Sequence, residues 1–402
     1  MMKSINPRTW KMAKTGAVLL LAAIFALSIG ASVNASDTGS RTVAVQASSF
    51  TDISKHWAKT AIEQAVQKGY VNGYEDGTFK PNREISRAEF TKMLVSALGL
   101  KVDAAQGGKW YDPYFTTASN AGITSAAEFN NHVDTALTRQ EMAQLAMKAL
   151  DAKEDTDAKK WIYLAAKAGI MSGSGAGDIG ADKTTTRAES ITVIERILSV
   201  KGGATLKADK YAVQAAEIYW HKTNIFTVMP EFFADTKSPT LYKPDDLFVK
   251  SEDGKYYAVV DAIVAIDLAD PKDPNLKLLP PLSKLRWDNN LRDGGIPLTD
   301  KYKDSYVVLV QKHFVQTNSN YGKFLYADFY GGYYDDKSMK EFGKGVLNQQ
   351  AGLFEVGKED EIMNATIFPK KGFKTDTAIC LYLRVPVNNS QPKLVLRAVP
   401  KF

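Results

Sequence analysis

The sequence predicts a multidomain chain that is helical in its first half and all-β in its second. Two observations carry this. Between residues 50 and 200 a Ser/Thr-Arg-x-Glu motif returns three times with the same apolar spacing behind it, the mark of a helical repeat. Beyond Gly202-Gly203, segments rich in β-branched and aromatic residues alternate with Gly/Pro turns, which indicates a sandwich or barrel of short strands.

The chain opens on a basic stretch, Lys3, Arg8, Lys11 and Lys14, followed by an apolar run from Ala17 to Ala31. At about 15 residues the run is too short to span a bilayer. Val33-Asn34-Ala35 supplies small residues for cleavage, so residues 1–35 are expected to be a secretion signal and 36–49 a short leader. The net charge is +6, and losing those four cations with no acidic residue leaves +2. Basicity therefore belongs to the signal, and neither nucleic acid nor, after signal cleavage, a membrane is expected as a partner. The single cysteine, Cys380, makes no intramolecular disulfide and is expected to pack as a small hydrophobe.

The repeats are expected at 50–102, 103–153 and 154–201. Their motifs are Ser86-Arg87-Ala88-Glu89, Thr138-Arg139-Gln140-Glu141 and Thr186-Arg187-Ala188-Glu189, with the arginines 52 and 48 residues apart. Behind them Phe90, Met93, Leu94, Ala97 and Leu98, then Met142, Leu145, Ala146, Ala149 and Leu150, trace one buried helix face. The third copy keeps Val193, Ile194, Ile197 and Leu198. Upstream of each motif a helix ends at Gly69, Gly122 or Gly169, a residue suited to a left-handed cap.

Each motif is a capping box: Ser86, Thr138 and Thr186 accept from the N3 backbone while Glu89, Glu141 and Glu189 reach back to the N-cap. That accounts for every motif residue except Arg87, Arg139 and Arg187, whose charge opposes the helix macrodipole. They point either to a bound anion or to an acidic side chain of the neighbouring repeat.

The first copy, with His56-Trp57-Ala58, Lys68-Gly69-Tyr70-Val71-Asn72-Gly73, Asp76-Gly77-Thr78-Phe79 and Ile85-Ser86-Arg87-Ala88-Glu89-Phe90, resembles a full S-layer-homology repeat. The resemblance implies a three-pronged spindle whose grooves bind pyruvylated secondary cell-wall polysaccharide attached to peptidoglycan. It also implies glycan-binding roles for Arg87, Arg139, Arg187, Trp57, Gly69, Gly122 and Gly169, and for Trp110, which stands in the second copy where Trp57 stands in the first. In that second copy Asp112-Pro113 is expected to interrupt the first helix. The third copy has Asp157 at the tryptophan position and Trp161 one turn later, with a glycine-rich loop from Ser172 to Gly177. Those departures make Arg87 and Arg139 the stronger candidates.

Residues 204–402 are expected to be a β-sandwich with strands around 256–266, 306–310, 324–330, 378–385 and 394–399. Leu381-Tyr382-Leu383-Arg384-Val385-Pro386 is faintly similar to small secreted immunoglobulin-like domains. His221 and His313 lie outside metal-ligand spacing. Asp245-Asp246 and Asp335-Asp336 are paired carboxylates of the kind usually solvated at turns, and Asp267, Asp270, Asp273 and Asn275 offer either oxygen ligands for calcium or an ordinary turn. Phe329, Tyr330, Tyr333 and Tyr334 around Gly331-Gly332 offer sugar-stacking rings or core. Neither a catalytic set, a metal site nor a cofactor is expected. The reading is a secreted surface protein anchored non-covalently to the cell wall, displaying a β-domain for an unknown surface partner. The alternative is a wall-tethered polysaccharide hydrolase with its site in that domain.

Overall fold

The computed structural model describes residues 50–104, 107–152, 157–175, 177–234, 236–289, 294–318, 321–323, 325–332, 335–357, 363–375, 377–387 and 390–401. The signal, the leader, Tyr333 and Tyr334 lie outside them.

The helical region holds α1 (Lys59–Gln67), α2 (Arg87–Ala97), α3 (Asp112–Asn120), α4 (Arg139–Ala149), α5 (Lys160–Lys167) and α6 (Arg187–Lys201). Ser86, Thr138 and Thr186 close complete capping boxes at the starts of α2, α4 and α6. Gly69, Gly122 and Gly169 follow α1, α3 and α5 at φ of 77°, 69° and 73°, the left-handed backbone that ends each helix. Pro113 does not interrupt a helix. It sits in the first turn of α3, where its missing N–H is no loss. Trp110 therefore precedes the helix rather than lying on it.

Neighbouring repeats pack in a cycle, α2 on α3, α4 on α5 and α6 on α1. The residue just before each N-cap makes the closing bond: Leu137 N–H donates to Ile85 C=O at 2.9 Å, Thr185 to Leu137 at 2.9 Å and Ile85 to Thr185 at 3.1 Å. Their side chains are fully buried, at the centre of one apolar core running through all three repeats.

That core does not stop at Gly202-Gly203, where the texture of the sequence changes. The next helix, α7 (Lys210–His221), packs on α5, and its Ala212, Val213, Ala215 and Ala216 join the same apolar cluster. Two short helices follow, α8 (Ile225–Val228) and α9 (Pro230–Phe233). From there the chain is predominantly β.

Among the described residues the strands are β1 (Thr236–Tyr242), β2 (Phe248–Lys250), β3 (Tyr257–Asp267), β4 (Leu285–Trp287), β5 (Ile296–Pro297), β6 (Ser305–Gln316), β7 (Tyr326–Tyr330), β8 (Ala351–Glu355), β9 (Ala365–Pro369), β10 (Ile379–Arg384) and β11 (Lys393–Pro400). One helix, α10 (Asp336–Gly343), interrupts them. They form two antiparallel sheets, β1-β11-β10-β7 and β2-β3-β6-β9-β8-β4-β5. One apolar core takes Ile379, Leu381 and Leu383 from β10 and Ala258, Val260 and Val308 from β3 and β6, and so lies between the sheets. A second, around Trp287 and Phe342, covers the far side of the larger sheet. Cys380 alternates away from the core on β10 and is only half-buried, so it does not serve as a packed hydrophobe. No helix of the described residues is long and apolar enough to cross a membrane.

Candidate functional site

The three motif arginines share one arrangement. Each sits at N1 of its helix, and its guanidinium crosses into the next repeat of the cycle. Arg87 donates through Nε and Nη2 to the Glu141 carboxylate at 3.1 and 2.7 Å, and through Nη1 to His132 C=O and the Thr135 hydroxyl. Arg139 donates to Ile179 C=O at 3.0 Å and Ser172 C=O at 2.5 Å, with Glu189 at 3.5 Å. Arg187 closes the cycle on the first repeat, donating to Phe79 C=O at 3.1 Å and Asn72 C=O at 2.5 Å. Burial pushes the Arg139 guanidinium below its ordinary value, opposed by Glu189; it does the same to Arg187, opposed by Tyr74 and Glu89.

Of the two explanations for these arginines, the carboxylate of the neighbouring repeat is the one seen for Arg87 and Arg139. The helix N-termini themselves hold no free anion site. Arg187 N–H donates to Arg83 C=O, Ala188 N–H to Pro81 C=O and Glu189 N–H to the Thr186 hydroxyl. The first turns of α2 and α4 are satisfied in the same way, by Thr135 and Val133 and by Lys183 and Ala181. The orphan donors of a helix start are therefore used to join repeats.

The sequence could not say which arginine, glycine and tryptophan belong together. A cavity of about 520 Å³ decides one case: it is lined by Gly69 and the Asn72–Tyr74 loop of the first repeat, Trp110 and Tyr114 of the second, and Arg187 of the third. Glu89, Lys92, Met93 and Ser96 of α2 also line it. Arg187 lies 4.4 Å from the Phe79 ring centroid and 5.3 Å from that of Tyr74, fixed as part of the wall. Trp110 is 51% exposed, an open aromatic face at the cavity mouth. A Cβ on Gly69 would meet open space, so only its left-handed backbone demands glycine there. A neighbouring cavity of about 390 Å³, lined by Arg83, Glu84, Ser86 and Asp134, shares Trp110 and Glu89 with the first.

The other two stations differ. At Gly169, Leu206 and Lys207 pass close enough that a Cβ would lie 2.8 Å from the Leu206 side chain. Arg196 reaches across to Ile170 C=O and the Ser172 hydroxyl. The cyclic order assigns Trp57, 65% exposed ahead of α1, to this station with Arg139. At Gly122, Arg87 is held by Glu141, and Glu128 takes Lys148 and Gln144. Asp157, which replaces the tryptophan there, accepts from Trp220 Nε1 of α7 at 2.7 Å, while Trp161 is buried. Arg187 is thus the motif arginine that lines the described cavity, although it is itself buried.

Residues 49–91 match the model of the S-layer homology domain. The chain carries an S-layer homology domain. Its relatives include an S-layer protein of Bacillus thuringiensis subsp. finitimus, 29% identical over 38% of this chain and 22% of that protein. An exoglucanase, XynX, of Acetivibrio thermocellus is 31% identical over 37% of this chain and 16% of its own length. An amylopullulanase of Thermoanaerobacterium thermosulfurigenes is 29% identical over 38% and 10%. The chain therefore spans less than a quarter of the length of each of these relatives. An S-layer homology domain shared with S-layer proteins makes this a secreted cell-surface protein associated with the cell wall.

The candidate groups of the second half are bound into the scaffold. Asp246 pairs with Lys393 at 3.0 Å, and Asp335 caps α10 by accepting from Ser338 N–H. Asp273 accepts from Asp267 N–H and Asn275 N–H, and Asp270 from Lys210 and Tyr211, so these oxygens form a turn. Groups of three or more metal-ligating side chains are absent among the described residues. His313 bonds Asp261 at 2.7 Å on the sheet surface. His221 stacks on Trp220 at 3.3 Å, and burial pushes its imidazole below the usual value. Phe329 is in the core, while Tyr330 is exposed.

Proposed function

We propose that the protein holds itself to the cell wall by seating an acidic secondary cell-wall polysaccharide, one carrying ketal-linked pyruvate, in the cavity between Gly69, Trp110 and Arg187. One observation supports this above the others: residues contributed by all three repeats meet at one cavity with an exposed tryptophan and a cationic wall. An exposed indole stacks on a sugar ring, and a lining cation takes its carboxylate. In this reading residues 50–201 are the three-pronged anchor, α7 is welded to it, and the two-sheet sandwich beyond is the displayed part. Among the described residues, Asp246, Asp270, Asp273 and Asp335 are committed to ion pairs, turns and a helix cap, which favours display over catalysis.

Sedimentation of the full chain with purified wall sacculi tests the proposal. Retention is expected on intact sacculi, with loss on sacculi stripped of the polymer and loss by Trp110→Ala. Equal retention in all three would overturn it. Release of reducing ends from wall glycans by the full chain would restore the hydrolase alternative.

A further inference from the structure

We infer that Lys92 is what makes this cavity select an acidic sugar, and that the chain has one anion-selective groove rather than three. This rests on the binding reading above and names the residue that discriminates within it.

The motif arginine is a poor candidate for that discrimination. Nε and Nη2 of Arg187 are already given to Phe79 C=O and Asn72 C=O, and the side chain is packed between aromatic rings with the residue 8% exposed. The lining carboxylate, Glu89, is ion-paired with Arg83. Burial alone would raise the Glu89 carboxyl, but the Ser86 N–H and Arg83 outweigh it and hold it below its usual value, so it stays charged. Lys92 is different. Its ammonium stands 5.7 Å from the Trp110 ring centroid and 5.6 Å from that of Tyr114, and no carboxylate of the described residues pairs with it. It is a cation poised beside the two rings on which a sugar would lie.

The comparison between repeats separates Lys92 from the shared motif. Five residues after the motif arginine the chain has Lys92, Gln144 and Thr192. Nine residues after it stand Ser96, Lys148 and Arg196. In the open cavity, a lysine at the first station therefore faces space left by a serine at the second. At the other two grooves the first station is neutral, and the second carries a long cation already bound, Lys148 to Glu128 and Arg196 to the Ile170 and Ser172 oxygens. Only one of the three stations thus combines an open aromatic face, a small residue and an unspent charge.

Calorimetric titration of the full chain tests this with two probes, a methyl hexoside carrying a ketal-linked pyruvate and the neutral methyl ester of the same sugar. The wild type is expected to bind the acid at one site per chain and to prefer it over the ester by at least about ten-fold, the lower bound for one charge-assisted hydrogen bond. Lys92→Gln should bring that ratio close to one, and Lys92→Arg should restore it. Lys92 is exposed, and matching melting curves would show that both variants fold. An unchanged acid-to-ester ratio in Lys92→Gln, or two or three acid sites per chain, overturns the inference while leaving wall binding intact. A wild type that binds neither sugar overturns the binding reading and this inference together.

Discussion

Leu137 donates its backbone N–H to the carbonyl of Ile85, and the same bond, repeated from Thr185 to Leu137 and from Ile85 to Thr185, joins the three repeats into a closed triangle. The motif arginines are the outer clamps of that triangle, each reaching from one repeat into the next.

Arg139→Ala is therefore expected to destabilise the fold and not only to alter the surface. It would leave Ile179 C=O and Ser172 C=O without their donor and Glu189 without its cation. A loss of about 2–4 kcal/mol is expected, read as an earlier midpoint in urea unfolding. A midpoint equal to that of the wild type would show that the clamp contributes nothing.

Ser86→Ala removes only the cap hydroxyl that accepts from Glu89 N–H. The expected cost is about 1 kcal/mol, smaller than that of the arginine. Thermal melts of the two variants side by side give the order.

Gly69→Ala addresses the cavity wall. Its φ of 77° disfavours an L side chain, and the added methyl would project into open space at the groove. A stability loss of about 1 kcal/mol together with weaker retention on wall sacculi is expected. The equivalent change at Gly169 should cost more, because Leu206 already occupies that space.

Glu217 on α7 gives the fold a pH dependence. The residue is 1% exposed and accepts from Phe226 N–H at 3.2 Å and from the Thr227 hydroxyl. Burial pushes its carboxyl from 4.5 up to about 7 against those donors. Below pH 4.5 it is protonated in both the folded and unfolded chain. Between there and about 7 the unfolded chain releases a proton that the folded chain keeps, so stability falls as pH rises, by about 3 kcal/mol in all. Glu217→Gln should flatten this. The urea midpoint of the wild type minus that of the variant, compared at pH 5 and pH 8, is expected to turn more negative at pH 8. A constant difference would count against Glu217.

Truncation after Gly203 should yield a less stable anchor than truncation after Lys222. The first removes the alanines of α7 from the shared core and the second keeps them. Amide-exchange protection in α5 reports the difference directly.

Much of this was legible in the sequence because it is local. Capping boxes, glycine stops and the apolar face of each repeat depend on residues within about two turns of one another, and each of the five apolar segments of the second half overlaps a strand. What the sequence hid was pairing across repeats. Gly69, Trp110 and Arg187 are far apart in the chain, and nothing in their spacing shows that a cyclic closure brings them together. Lys92 carried a faint signal, as a position where three otherwise similar helices disagree. The strands β1, β2, β4, β5, β8 and β9 were missed, and of these β2, β4 and β5 are runs of two or three residues that leave no periodicity to read. The role of α7 was missed because a pair of glycines reads as a boundary even where the core continues beneath it.

The triangle through Ile85, Leu137 and Thr185 has a further consequence. An open array of repeats has two ends, each needing a polar cap to cover a face that no neighbour covers. A ring has none, so each repeat here is covered on both sides by the other two. The arrangement is complete at its third member. A fourth copy inserted into the gene would have no unpaired edge to join, and would have to fold elsewhere or break a bond already made.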